Sequence, residues 1–284
     1  MSSSLRTAVP TRPFSEALAL TPIGDRAYAA ELGDVWTVNP GGKQHGGLLM
    51  ALVTKAALTE LDAHTGVEVP SDPLAVSASF LRAPDRGEVR IDTEVVKVGR
   101  TVSVVQAELW QAEKRMLSVT VTGGRLPDSP ASWSSVPGIE PGMAIEPPSD
   151  GVHTASLPGP LPPLATACDV VLDREASAYL RDEVGEPVQR GWTRPVGEEP
   201  DALFAVLAGD LLPPVLFNTG LVGWSPTVQL TALIRARPAP GWLRMRSAAS
   251  AVAGSWLDED AFVVDSAGQL VCQARQLALA PLAR

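Results

Sequence analysis

The text of this chain is written twice. AVSASFLRAP at 75–84 returns as VQLTALIRARP at 228–238, Gly87 matches Gly241, Gly99 matches Gly254, and Leu117-Ser118-Val119 is matched by Leu270-Val271-Cys272. All four landmarks share an offset of about 154 residues, and such self-similarity marks two copies of one structural unit rather than one large irregular domain. In a chain of 284 residues each copy has room for one modest core.

The first copy opens with RAYAAEL and DVWTV, two short alternating runs joined at Gly33-Asp34 that predict a hairpin-like pair of strands. NPGGKQHGG then delivers LLMALVTKAALTEL, an apolar helix, and four alternating strand-like runs follow: LAVSASFLRAP, GEVRIDTEVVKVGR, TVSVVQAELWQ and EKRMLSVTVTGG. One helix followed by four strands excludes a doubly wound sheet. It predicts an α+β unit, a curved antiparallel sheet wrapped on a helix. In the second copy CDVVLD, a helical-looking REASAYLRDEVG and PVQRGWTRP precede an apolar helix over Asp201 to Phe217, ended by Pro213-Pro214, and four more strand runs. Between Leu126 and Leu164 lie ten of the 26 prolines, which predicts an extended linker crossing the surface. The expected organisation is a loose arm at 1–14, one unit at 15–126, a linker at 127–164 and a second unit at 165–284. Each unit alone would leave a strand edge exposed, so the two sheets are expected to join edge to edge into one.

The chemistry concentrates in the second copy. Asp210 falls beside the apolar stripe of its helix (Leu203, Phe204, Leu207, Leu211), where burial disfavours an anion and the helix end adds negative potential. Either it fixes the helix end or the following turn, or it is a catalytic acid. The equivalent helical region of the first copy, around Thr54, carries no acid. Thr227, opening a strand, and Gln276, closing the last one, are polar where the first copy offers Pro73 or Leu74 and the neighbourhood of Thr122. In the first copy, the amides of Gly46-Gly47 at the start of the helix could bind an oxyanion, or the glycines could simply let the helix pack closely. His45 before them suits a general acid in principle, yet the helix it opens carries no acid until Glu60. Arg82, Arg86, Arg100, Arg235 and Arg237 stand near strand ends, where they would meet phosphates or water. Trp36, Trp224, Trp242 and Trp256 are candidates to line an acyl tunnel or to fill the core.

A net charge of −9 argues against a nucleic-acid or anionic-membrane binder. No run is long enough to span a membrane, and the start, MSSSLRTAVPTRPF, has no apolar signal core, which together predict a cytoplasmic protein. Cys168 and Cys272, and His45, His64 and His153, lack metal-ligand spacing, so no zinc site is expected.

With HGGLLMALV, FLRAP, VGRT, the aspartate of DLLPP, SPTVQLT and RQLALAP in place, the chain resembles the acyl-CoA thioesterase II family over nearly its whole length. The resemblance implies a double hotdog fold, hydrolysis of acyl-CoA without metal or cofactor, and pairing into homo-oligomers. It also implies that Asp210, Thr227 and Gln276 together position the attacking water; the amides of Gly46 and Gly47, beside His45, would then be the natural supply of donors on the oxyanion and substrate side. Two readings compete: a hotdog hydratase acting on enoyl thioesters, which would need an acid and histidine pair in a central helix, and an acyl-thioester binding protein with little catalysis.

Overall fold

A helix that is apolar on nearly every side needs cover on every side. Gly46–Thr65 forms such a helix, α2, with Leu48 to Val53, Ala56, Ala57, Leu58 and Leu61 buried, and it ends at Gly66 in the left-handed conformation (φ 62°). In the computed structural model, which describes residues 11–38, 42–136, 138–139, 142–157 and 163–281, the cover is one long sheet. The first half contributes α1 (Pro13–Ala17), β1 (Thr21–Gly24), β2 (Ala27–Leu32), β3 (Asp72–Phe80), β4 (Gly87–Lys97), β5 (Val102–Gln111) and β6 (Lys114–Gly124). The second contributes β7 (Val152–His153), β8 (Cys168–Leu172), β9 (Val188–Pro195), α3 (Ala202–Ala208), β10 (Thr227–Ile234), β11 (Leu243–Ala248), β12 (Val252–Ala253), β13 (Trp256–Val264) and β14 (Leu270–Leu279).

The strands run in the order β1-β2-β4-β5-β6-β3-β10-β14-β13-β11-β9-β8-β7, with β12 appended to β13 and every described pairing antiparallel. The expected α+β double hotdog with joined sheets is what forms. The join is β3 against β10, where Ser77 pairs with Thr231 and their hydroxyls lie 2.9 Å apart. Those two residues are 154 apart, so Ser77 faces its own equivalent and a local two-fold axis passes between them. In the closing strands the equivalence slips. Phe80 pairs with Leu117 and Ile234 with Cys272, so Leu117 corresponds to Cys272 rather than to Leu270.

Several local expectations are corrected. DVWTV is no strand: Asp34–Trp36 makes a single 3-10 turn, because Trp36 is drawn into the core, where its Nε1 donates to the Pro13 carbonyl at 3.2 Å. The partner of β2 is instead β1 on one side and β4 on the other. REASAYLRDEVG yields only the 3-10 turn Ala178–Arg181, stopped by Asp182 at φ 55°. Of the arm at 1–14, residues 1–10 lie outside the described residues, but Pro13 and Phe14 are buried in α1, and the Phe14 ring meets both Trp36 and Phe204 edge-on, at 6.0 and 5.1 Å.

The proline-rich stretch does more than cross the surface. Val136, Ile139 and Met143 pack against Val171, Trp192 and Val264. On β8, Val170 and Leu172 enter the main core while Val171 points to the opposite face, so the stretch buries apolar surface on the outer side of the second sheet. Trp192 Nε1 and an Arg244 guanidinium nitrogen tie it down by donating to the carbonyls of Ala144 (2.8 Å) and Met143 (3.2 Å).

Candidate active site

The helix expected over Asp201 to Phe217 is shorter than its pattern suggests. The Phe204 amide donates to Asp201 Oδ1 at 2.7 Å to cap it, and it ends at Ala208 after seven residues. Gly209 lies against β14, where a Cβ would stand 3.1 Å from the Ala274 side chain and 3.2 Å from Cys272 Sγ. The Asp210 amide closes a tight turn on the Leu207 carbonyl (3.0 Å), and Pro213-Pro214, lacking amide protons, prevents the helix from resuming. Asp210 therefore occupies the turn beyond the helix.

That turn meets the start of α2. A Cβ on Gly46 would lie 2.9 Å from Asp210 Oδ2, and one on Gly47 would lie 2.9 Å from the Leu207 carbonyl oxygen and 3.0 Å from Asp210 Cβ. Only glycines allow this approach. The Gly47 amide donates to the Asp210 carboxylate, so the positive end of α2 faces the acid. Burial outweighs it and raises the Asp210 pKa to about 7. Gly47 thus faces the acid, packed against the Leu207–Asp210 turn. Gly46, at the first helical position and on the cavity wall, keeps an amide without an intrahelical acceptor.

Asp210, Thr227 and Gln276 line one cavity of about 690 Å³ between the two halves, walled largely by apolar side chains such as Leu49, Phe80, Leu212 and Phe217. Thr227 donates its hydroxyl proton to Gln276 Oε1 at 2.6 Å. Asp210 makes no direct hydrogen bond to either among the described residues; the three share the wall of the cavity. A second buried carboxylate that sequence reasoning missed, Glu259 on β13, lies on the same wall. Burial first, and the Asp210 charge second, raise its pKa to about 7, against hydrogen bonds from Ser247, Gln276 and the Val215 amide. A signal for it was present. In WLDEDAFVV the inward phase is Leu257, Glu259, Ala261 and Val263, an acid where the alternation calls for an apolar residue.

His45 is buried and its pKa is lowered to about 4, chiefly by desolvation, so the ring is neutral. It donates to the Asp210 backbone carbonyl, and because Nδ1 has no partner that bond falls to Nε2. His45 is thus a tie between the halves, poorly suited to act as a general acid. Of the arginines, Arg82 alone lines the cavity, its guanidinium donating to the Arg115 carbonyl at 3.1 Å; Arg86 pairs with Asp34, and Arg237 with Asp72 and Asp128. Arg100 and Arg235 are exposed on the surface. Trp224 is on the cavity wall, whereas Trp36 is core, Trp242 lies beneath Arg194 and Trp256 is half exposed. Among the described residues no helix is long and apolar enough to cross a membrane.

With this geometry in place, comparison with known proteins is direct. Residues 34–124 match the profile of the acyl-CoA thioesterase N-terminal domain, and residues 144–280 that of the acyl-CoA thioesterase C-terminal domain. Uncharacterized proteins of Mycobacterium tuberculosis and Mycobacterium bovis are 41% identical over 293 residues, covering 94% of this chain and 98% of their own. The crystal structure of a candidate thioesterase II from Thermobifida fusca superposes with a TM-score of 0.82 at 31% identity, covering 96% of this chain and 98% of that one. At 17% identity the acyl-CoA thioesterase II TesB2 from Mycobacterium marinum shares the fold, with a TM-score of 0.64 over 94% of this chain and 96% of its own. Two domain profiles in tandem, spanning both copies of the repeat, show that this chain belongs to the acyl-CoA thioesterase family.

Proposed function

We propose that the protein hydrolyses acyl-CoA thioesters, with Asp210 as general base. The observation that carries this reading is a single cavity that sets Asp210, at the start of α2, on the same wall as the hydrogen-bonded Thr227 and Gln276 pair. A carboxylate whose pKa is raised to about 7 can take a proton from water at neutral pH and return it later in the cycle. The water oxygen would attack the thioester carbonyl carbon as its proton passes to Asp210. The resulting oxyanion is offered the Gly46 amide at the positive end of α2. Collapse breaks the C–S bond, and the thiolate leaves as the thiol on taking the proton from Asp210, which restores the base.

The apolar walls suit an acyl chain. Among the described residues lining the cavity Arg82 is the cation, and it suits a coenzyme A phosphate. The hydratase reading loses support because His45 is neutral and engaged with the Asp210 carbonyl. Exposed apolar residues such as Val96 and Val98 support assembly of several chains, for which light scattering should give a mass above 29.8 kDa.

The test is hydrolysis of an acyl-CoA series from short to long chains, following free thiol, with Asp210→Asn beside the unmodified enzyme. Thiol release that depends on Asp210 supports the reading. Binding without thiol release at any chain length would turn it into the acyl-thioester binding protein.

A further inference from the structure

We propose that Glu259 is a positioning residue of this site, fixing which way the Gln276 carboxamide faces and coupling its charge to Asp210. The proposal deepens the thioesterase reading and rests on it.

The repeat itself supplies a control. Glu259 lies opposite Gln276 across β13 and β14, and at the same place in the first half Val105 lies opposite Val121, both fully buried. The sheet therefore closes with two valines there. A carboxylate in that position loses its hydration and must be compensated by partners, so folding alone gives no reason for it. Yet it is only 6% exposed and lies on the cavity wall.

Its hydrogen bonds explain what it does. The Ser247 hydroxyl, the Val215 amide and, from directly across the strand pair, the Gln276 side chain all face it as donor groups that favour its charged form. An ionised carboxylate only accepts, so Gln276 must turn its NH₂ group toward Glu259. That leaves Gln276 Oε1 for Thr227, whose hydroxyl proton is used in their 2.6 Å bond. The cavity is then offered one remaining Gln276 N–H and the lone pairs of Thr227 Oγ1. Beside the Asp210 acceptor, this pattern has one best occupant: a water donating to Asp210 and to Thr227, accepting from Gln276, with its last lone pair free to attack. Without the Glu259 charge the carboxamide is free to flip, the Thr227 proton turns outward, and the pattern inverts.

The groups facing Glu259 come from four elements. They are Ser247 of β11, Gln276 of β14, the Val215 amide of the 3-10 turn Val215–Thr219, and Asp210 beyond α3, the charged member of the set. His45, against Asp210 from the start of α2, is neutral. Two carboxylates that repel each other in one buried site titrate as a pair, so removing one charge lowers the pKa of the other.

The test compares the full-length enzyme with Glu259→Gln and Glu259→Asp, reading kcat, KM and the pH profile on an acyl-CoA that it hydrolyses. Glu259→Gln should lower kcat by about 10–10²-fold, leave KM within about twofold, and move the acid limb of kcat/KM to lower pH. Glu259→Asp, which keeps the charge, should hold the limb near its original pH and recover part of the rate. A Glu259→Gln enzyme with unchanged rate and limb, or one that is slower with an unmoved limb and a lower Tm, would overturn the proposal. Should the unmodified enzyme release no thiol from any acyl-CoA, the catalytic reading fails independently of the coupling. A substrate-free readout then decides the coupling. Carboxyl ¹³C and side-chain amide ¹⁵N titrations should show the Asp210 pKa falling and the Gln276 NH₂ signals shifting in Glu259→Gln, and unchanged signals would refute it.

Discussion

Set side by side, the two halves of the molecule share a sheet design and differ in what they enclose. The first surrounds a helix of twenty residues, α2; the second has only the seven-residue α3, followed by Asp210, Leu211, Leu212 and the two prolines. Leu211 to Pro214 and Phe217, which a continued helix would have carried, line the cavity instead. The first half closes its sheet with Val105 and Val121, the second with Glu259 and Gln276. The intact half supplies rigidity and an amide-rich helix start, while the interrupted half supplies space and acids. One fold tolerates both because the sheet, not the helix, carries the shared register.

The sharpest way to break this comparison is to neutralise the acid. Asp210→Asn should lower kcat by about 10²–10⁴-fold with KM little changed, measured by thiol release. Thr227→Ala and Gln276→Ala should each cost less, about 10–10²-fold, since each removes an orienting bond and leaves the proton acceptor. The first-half counterpart gives the contrast. Val105→Ala should cost about 1–3 kcal/mol in denaturant unfolding and leave kcat unchanged.

The pH behaviour separates the halves further. With the Asp210 pKa raised to about 7, kcat/KM should fall as pH drops below neutrality, because the protonated acid is no base. For stability the sign is opposite. A folded pKa above the ordinary aspartate value of 3.8 means that the native state binds more protons than the unfolded state between those values, so stability declines as pH rises through that window. Asp210→Asn should therefore be more stable than the unmodified enzyme at pH 8, by up to about 4 kcal/mol, and the gain should vanish below about pH 4, as thermal melts across pH would show. The smallest effect belongs to the join. Ser77→Ala should cost about 0.5–1 kcal/mol by the same measurement, because one of many bonds across β3 and β10 is lost.

How much of this was legible in the text varies with the physics that sets each part. The long strands β3 to β6 and β10, β13 and β14 follow alternation, a property of each segment alone, and the repeat offset foretold their joining. The end of α3 depended on the contact of Gly209 with β14, which no local pattern records. DVWTV looked extended until Trp36 found Pro13 and Phe14. The polar asymmetry between the copies singles out Asp210, Thr227 and Gln276, and the three line one cavity; that Gly47 faces Asp210 depends on a contact between the halves that no local pattern records. Glu259 was readable from its phase in β13, and was hidden by the neighbouring Asp258 and Asp260, which make WLDEDAFVV look like a solvated strand.

The join at Ser77 and Thr231 has a consequence for how such a molecule can vary. Were the halves separate identical chains meeting at that axis, every substitution would appear on both sides, and an acid at one wall would bring a second acid at the mirror wall. A helix could not be whole in one copy and broken in the other. Covalent connection through the segment between β6 and β7 removes that constraint while leaving the symmetric seam in place. On the proposed reading each chain then carries one chemical centre, so an unreactive thioester analogue should titrate to one equivalent per 284 residues rather than two.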